Sequence, residues 1–233
     1  MTGIKMEKNK NYCIDFMEGI KQLEDNSIDL VITDPPYFFE TRGKGFAKER
    51  DYLKKGLKSI GVNNKKDIIT EKFLKELIRI TKKINIFIFC NKAQILKILK
   101  FANENKLSFE LIPFCKTAPM PLSNNQWLPD REWGVHLFKS CSVKGSYKTK
   151  RGFFVSTNYK DEKIKHPCPK PVEIMKKLII NLSKEGDLVL DCFIGSGATA
   201  IACKQLKRDF IGFDINEDYI KLTEGRLSQK SLP

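Results

Sequence analysis

The sequence predicts an α/β fold: a mostly parallel sheet with circularly permuted strand order and helices on both faces. Three observations carry this reading. Short apolar runs alternate with helical stripes along most of the chain, the pattern of βα units. A glycine loop, Gly195-Ser196-Gly197, follows one apolar run and opens a helix of small residues, as nucleotide-binding turns do. Only 19 residues remain after the next strand ends at Asp214. They cannot supply the other half of a doubly wound sheet, so the missing strands come from upstream.

The 233 residues are enough for one large α/β domain, and we read 1–233 as a single unit. Asn11 to Phe16 reads as a short strand with Asp15 near its end, followed by a helix-like stretch from Met17 to Leu23. A turn at Glu24-Asp25-Asn26-Ser27 feeds the apolar run Ile28 to Thr33. That run ends in Asp34-Pro35-Pro36-Tyr37. The two prolines fix φ, remove two backbone donors and bias their neighbours toward extended geometry. The result is a stiff ledge with one carboxylate, carbonyls and a ring at the carboxyl end of a strand, where open α/β sheets bind ligands.

Residues 38–70 hold nine basic and four acidic residues, net +5, and few aliphatics before Ile68. A loop of that length inside a domain is functional or disordered. Order returns with the stripe Phe73, Leu74, Leu77 and Ile78, the strand Ile84 to Phe89, and the helix face Ile95, Ile98, Leu99 and Ala102. Phe109 to Phe114 and Trp133 to Phe138 read as strands, separated by Pro119, Pro121 and Pro129. Residues 139–170 read as irregular, with nine basic against two acidic residues, net +7. Tyr147, Phe153, Phe154 and Tyr159 are interleaved with this charge. Pro171 suits the first position of a helix whose stripe is Val172, Met175, Leu178, Ile179 and Leu182. Leu188 to Asp191 is a buried strand, Phe210 to Asp214 the next, and a helix over about 218–227 closes the chain.

The net charge of +14 is concentrated in 38–70 and 139–170. Two local basic segments predict a polyanionic partner rather than a general solubility device. The seven cysteines, Cys13, Cys90, Cys115, Cys141, Cys168, Cys192 and Cys203, never fall in C-x-x-C spacing. This argues against a zinc site or disulfide framework and for small buried thiols in a reducing cytoplasm. No apolar run is long enough to span a bilayer, and the lysine-rich start shows no signal peptide. His136 reads as a strand residue and His166 as part of a proline-rich turn. Trp127 and Trp133 read as packing residues.

Gly195, Gly197 and Ala200 fit G-x-G-x-x-G/A, and Asp214 follows Gly195 by 19 residues. Glycines let a ligand approach the backbone, and the acid accepts bonds from ribose hydroxyls. An adenosine cofactor and NAD share this physics. Asp191, on the strand before the loop, suits a cationic group better than a pyrophosphate, which disfavours an NAD-linked oxidoreductase.

Together these residues resemble the S-adenosylmethionine-dependent DNA amino-methyltransferases. Asp34-Pro35-Pro36-Tyr37 resembles their catalytic D-P-P-Y motif, and Asp191 to Gly197 is similar to their D-x-F-x-G-x-G cofactor motif. The catalytic motif stands first, as in the family's beta class. The resemblance implies a Rossmann-like methyltransferase sheet, S-adenosylmethionine as cofactor, and methyl transfer to N6 of an adenine flipped out of double-stranded DNA. It implies catalytic roles for Asp34, Pro35, Pro36 and Tyr37. It implies cofactor contacts from Asp15, Lys170, Asp191, Phe193, Gly195, Ser196, Gly197, Thr199 and Asp214, with Lys170 meeting the cofactor carboxylate. An acid at Asp15 equally suits a helix cap.

The variable recognition segment would be the short insert 139–165, assisted by the basic loop 38–70. Arg42, Lys44, Lys48, Lys148, Lys150 and Arg151 are the expected DNA contacts. The resemblance permits a homodimer, and a restriction endonuclease as partner in a restriction-modification pair. Alternatives are cytosine-N4 or RNA as substrate, or a non-catalytic nucleic-acid-binding protein on the same fold.

Overall fold

The computed structural model describes residues 6–37, 67–117, 127–128, 130–156, 166 and 169–229. Along the chain run β1 (Lys10–Cys13), α1 (Phe16–Lys21), β2 (Leu30–Thr33), α2 (Glu71–Ile80) and β3 (Asn85–Cys90). They are followed by α3 (Lys92–Glu104), β4 (Ser108–Lys116), β5 (Arg131–Phe138) and β6 (Phe154–Ser156). The last elements are α4 (Val172–Leu182), β7 (Leu188–Asp191), α5 (Ala198–Gln205), β8 (Asp209–Asp214) and α6 (Glu217–Leu227).

The strands make one eight-stranded sheet in the order β1-β8-β7-β2-β3-β5-β4-β6. Every neighbouring pair is parallel except those of β5, which runs antiparallel to β3 and β4. The late strands β7 and β8 lie between β1 and β2, so the strand order is permuted.

β2, β3 and β7 are buried along their whole length, as a sheet covered on both faces demands. Alternate side chains sort into two cores. Val31, Ile86, Ile88, Leu190 and Phe213 pack with Ile20 of α1, Phe73 and Leu77 of α2, and Ile98 of α3. Leu30, Ile32, Phe87, Phe89 and Val189 pack on the other face with Met175 and Leu178 of α4, Ile201 of α5 and Leu227 of α6.

The antiparallel pair β4 and β5 is longer than its apolar residues suggest, because the ladder continues from Ser108 opposite Phe138 to Cys115 opposite Arg131. β6 was not expected in the irregular stretch. Phe154 is buried and stacks on Phe114 with ring centroids 4.6 Å apart, so one of the interleaved aromatics belongs to the core. Trp133 packs against the first core, whereas Trp127 is 92 % exposed, against the packing role expected of it. Cys90, Cys192 and Cys203 are buried as small apolar groups, but Cys13 is exposed and Cys115 and Cys141 are intermediate. No helix among the described residues is long and apolar enough to cross a membrane.

Candidate active site

The parallel ladder between β2 and β7 aligns Leu30 with Val189 and Val31 with Leu190. Asp34 and Asp191 therefore leave the sheet at the same edge, from adjacent strands. The chain winds away from this pair in both directions, to β3 on one side and β8 on the other, which makes it the switch point of the sheet.

On the β2 side, the ledge is held by the next helix. Asn91 and Gln94 form a reciprocal capping box at the start of α3. The fully buried Gln94 also donates from Nε2 to the Pro36 carbonyl at 3.3 Å. Asp34 Oδ2 accepts from Lys170 Nζ at 2.6 Å, while Asp34 Oδ1 is buried with no partner among the described residues. Lys170 Nζ also donates to Tyr37 Oη at 3.3 Å, and lies 3.3 Å from Glu132 Oε2. Tyr37 Oη donates weakly to that oxygen at 3.4 Å. Glu132 Oε1 is paired with Lys116 at 2.6 Å.

Burial works to raise Glu132, but Lys170 and Lys116 outweigh it and hold its carboxyl at about 2. Burial likewise opposes the Lys170 charge, and Asp34, Tyr37 and Glu132 outweigh it, so Lys170 is firmly cationic. Burial raises Asp34 above the ordinary aspartate value, with Lys170 offsetting part of the rise. The two members of this ion pair pull in opposite senses. At 2.6 Å from a firmly held ammonium, the ionised aspartate is the form we assign near neutral pH.

On the β7 side, Asp191 Oδ1 accepts from the Phe193 amide at 3.0 Å, and Oδ2 from Thr199 Oγ1 at 2.6 Å. Burial pushes Asp191 up to about 7, against those two hydrogen bonds. Gly195 and Gly197 adopt φ of 49° and 81°, where a Cβ is strained. The Gly195 amide donates to Asp214 Oδ2 at 3.0 Å. α6 ties down the loop from behind: Thr223 Oγ1 donates to the Gly195 carbonyl at 3.0 Å, and Arg226 donates to the Ser196 carbonyl. Phe193 packs against Phe16 at 4.8 Å. Ser196 is buried in the loop.

The model of the N6/N4 DNA methylase family matches residues 28–225. The chain belongs to this family. Among its relatives, the type II methyltransferase M.HpaI of Haemophilus parainfluenzae is 28 % identical over 94 % of this chain and 74 % of its own length. The DNA adenine methyltransferase YhdJ of Escherichia coli is 34 % identical over 52 % of this chain and 35 % of its own. A crystal structure of M1.HpyAVI with S-adenosylmethionine superposes with a TM-score of 0.70, at 25 % identity, over 94 % of this chain and 99 % of that one.

As a member of the family the protein is an S-adenosylmethionine-dependent methyltransferase. The β7 side of the site fits that cofactor. Gly197 is the N-cap of α5, with no side chain capping the first amides of the helix, while the missing Cβ atoms of Gly195 and Gly197 give room to His166 and Thr223. Asp191 and Asp214 lie at the two strand ends beside the loop.

Asp15 stands just past the end of β1 beside Asp214, because the parallel ladder sets Cys13 opposite Asp214 and the Ile14 amide donates to the Asp214 carbonyl at 2.9 Å. Asp15 is exposed and caps α1, accepting from the Met17 and Glu18 amides at 2.9 and 3.3 Å. Lys170 lies on Asp34. Arg42, Lys44 and Lys48 are outside the described residues.

Lys148, Lys150 and Arg151 are exposed. β5 runs antiparallel and ends with Phe138 opposite Asn85, at the far edge of the sheet. The segment then runs beside the far end of α4, where Thr149 bonds Asn181 at 2.9 Å. That is about 14 Å along the helix axis from Val172.

Glu132, Lys116, Gln94, Thr223 and Arg226 escaped the sequence reading. Each acts through a partner on another element, and the spacing of residues along the chain carries no signal for that. His166 sits over the glycine loop, since a Cβ on Gly195 would come 3.1 Å from its Nε2. His136 is a strand residue, buried and 3.0 Å from Asn85 Oδ1.

Proposed function

We propose that this methyltransferase transfers the methyl group of S-adenosylmethionine to N6 of an adenine flipped out of double-stranded DNA at specific sites. The observation that carries the reading is Asp34 Oδ1: a buried oxygen of a carboxylate on a rigid ledge, without a partner among the described residues. It lies beside the loop that fits the cofactor. In this reading Oδ1 and the Pro35 carbonyl accept the two N–H donors of the exocyclic amino group, and the Tyr37 ring stacks on the base. These bonds turn the nitrogen lone pair out of conjugation. When bound, the cofactor supplies an electrophilic methyl group on a sulfonium. Asp191 faces its cationic amino group, and Asp214 its ribose. Positioning and the fixed charges of the ledge lower the barrier.

The acid in the first position of D-P-P-Y supports adenine over cytosine, as does the similarity to YhdJ over half the chain. The test is incubation with labelled S-adenosylmethionine and double-stranded DNA, then digestion to nucleosides. N6-methyladenine is expected. N4-methylcytosine would redirect the reading to cytosine, and label confined to RNA would redirect it to RNA. No product on several DNAs, with cofactor binding intact, would overturn it. Asp34→Ala is expected to cut transfer by about 10³-fold while leaving cofactor affinity within about threefold.

A further inference from the structure

We propose that Lys170 is a positioning residue of the target-base pocket, anchored by Glu132, and not a ligand of the cofactor carboxylate. The proposal rests on the reading of Asp34 given above and extends it to residues on three other segments.

The geometry is that of a filled ammonium. A lysine has three N–H donors. Those of Lys170 have three acceptors: Asp34 Oδ2 at 2.6 Å, Tyr37 Oη at 3.3 Å and Glu132 Oε2 at 3.3 Å. The charge also lies 4.9 Å from the centre of the Phe89 ring and 5.3 Å from that of Tyr37. The side chain is only 14 % exposed. A cofactor carboxylate could reach this nitrogen only by displacing one of those acceptors.

Glu132 is fixed in turn by Lys116. Lys116, Glu132, Lys170 and Asp34 thus form a chain of alternating charge with no net excess, running from β4 through β5 to the ledge. Pairing of this kind keeps a buried charge from being an isolated cost. It leaves Asp34 ionised with Oδ2 engaged and Oδ1 without a partner among the described residues. Removing the Lys170 charge takes away what opposes burial at Asp34. The other ionisable groups facing that carboxyl, Glu132 on β5, Asp191 on β7, Cys90 on β3 and Tyr37 on its own segment, supply no cation.

The test pairs Lys170→Met and Glu132→Gln in the full chain. Three measurements are made: cofactor affinity by calorimetry without DNA, the pH profile of single-turnover methylation, and the side-chain ammonium resonance of Lys170. Lys170→Met is expected to slow transfer about 100-fold. It is also expected to move the acid limb of the profile upward by about one pH unit, with cofactor affinity within about threefold. Glu132→Gln removes a negative charge near Asp34. It is expected to slow transfer about tenfold, without an upward move of that limb.

In the unsubstituted protein, the Lys170 resonance is expected to be displaced by Glu132→Gln and left in place by S-adenosylmethionine. A resonance that follows the cofactor would overturn the proposal. So would a Lys170→Met variant with tenfold weaker cofactor binding and an unmoved profile. If the unsubstituted protein binds cofactor but methylates no DNA, the reading of Asp34 fails. The resonance still decides where Lys170 is paired.

Discussion

Asp191 is nearly inaccessible to solvent, and burial pushes it up to about 7. Its neutral form is favoured in the folded chain, so ionisation is delayed by some three pH units relative to an exposed aspartate. S-adenosylmethionine brings a cationic amino group, which is attracted by the ionised form. In the proposed reading, with Asp191 facing that amino group, binding below pH 7 has to remove a proton from Asp191. The sign follows from linkage: affinity rises with pH up to about 7 and levels off above it, by at most about tenfold per unit on the rising limb. Calorimetric titration of the cofactor between pH 5.5 and 8.5 should show this, with proton release that varies with buffer ionisation enthalpy. Asp191→Asn should flatten the curve at the weak level. A flat curve in the unsubstituted protein would remove Asp191 from the cofactor site. His136 offers a contrast, because burial holds it down to about 4. It stays neutral across the same range and contributes nothing to the slope.

The ledge is a property of packed elements as much as of two prolines. Gln94 closes the cap of α3 and holds the Pro36 carbonyl. Gln94→Ala breaks both contacts and leaves buried groups unsatisfied, at a cost of about 1–3 kcal/mol. The expected result is a lower thermal midpoint and slower transfer, with cofactor affinity unchanged; unchanged turnover would show that the prolines alone keep the ledge rigid. Gly134 on β5 is a second pressure point. A Cβ there would come within 2.2 Å of Phe87 Cζ, inside the aromatic cluster of Phe87, Phe89 and Phe114. Gly134→Ala should destabilise by about 1–3 kcal/mol through overpacking, read as a shift in the denaturant midpoint with an unchanged slope. The parallel strands and both motif loops were legible in the sequence because each is a local run: an apolar strand, then an acid, then a turn. Glu132 was not, since its role appears only when the β5 ladder brings it to the ledge. β6 was not either, because three residues opposite β4 carry no period of their own.

The placement of positive charge separates two stretches that look alike in composition. Both 38–70 and 139–170 carry a basic excess. The turn with Lys148 and Lys150 is led to the far edge of the sheet by the direction of β5 and fastened beside Asn181 through Thr149, and Arg151 stands three residues before β6, which pairs Phe154 with Phe114. Arg42, Lys44 and Lys48 follow Tyr37 within eleven residues of the sequence. Binding of a duplex releases counterions in proportion to the phosphates neutralised, and the slope of log affinity against log salt falls by about one for each contact. Replacing Arg42, Lys44 and Lys48 together with alanine should weaken binding at low salt and flatten the slope by about two to three. Replacing Lys148, Lys150 and Arg151 should leave the slope within about half a unit of the unsubstituted value. Fluorescence anisotropy with a labelled duplex across a salt series reads both. If the second triple variant loses the larger slope, the duplex extends around the α4 flank, and the DNA face is wider than the catalytic edge.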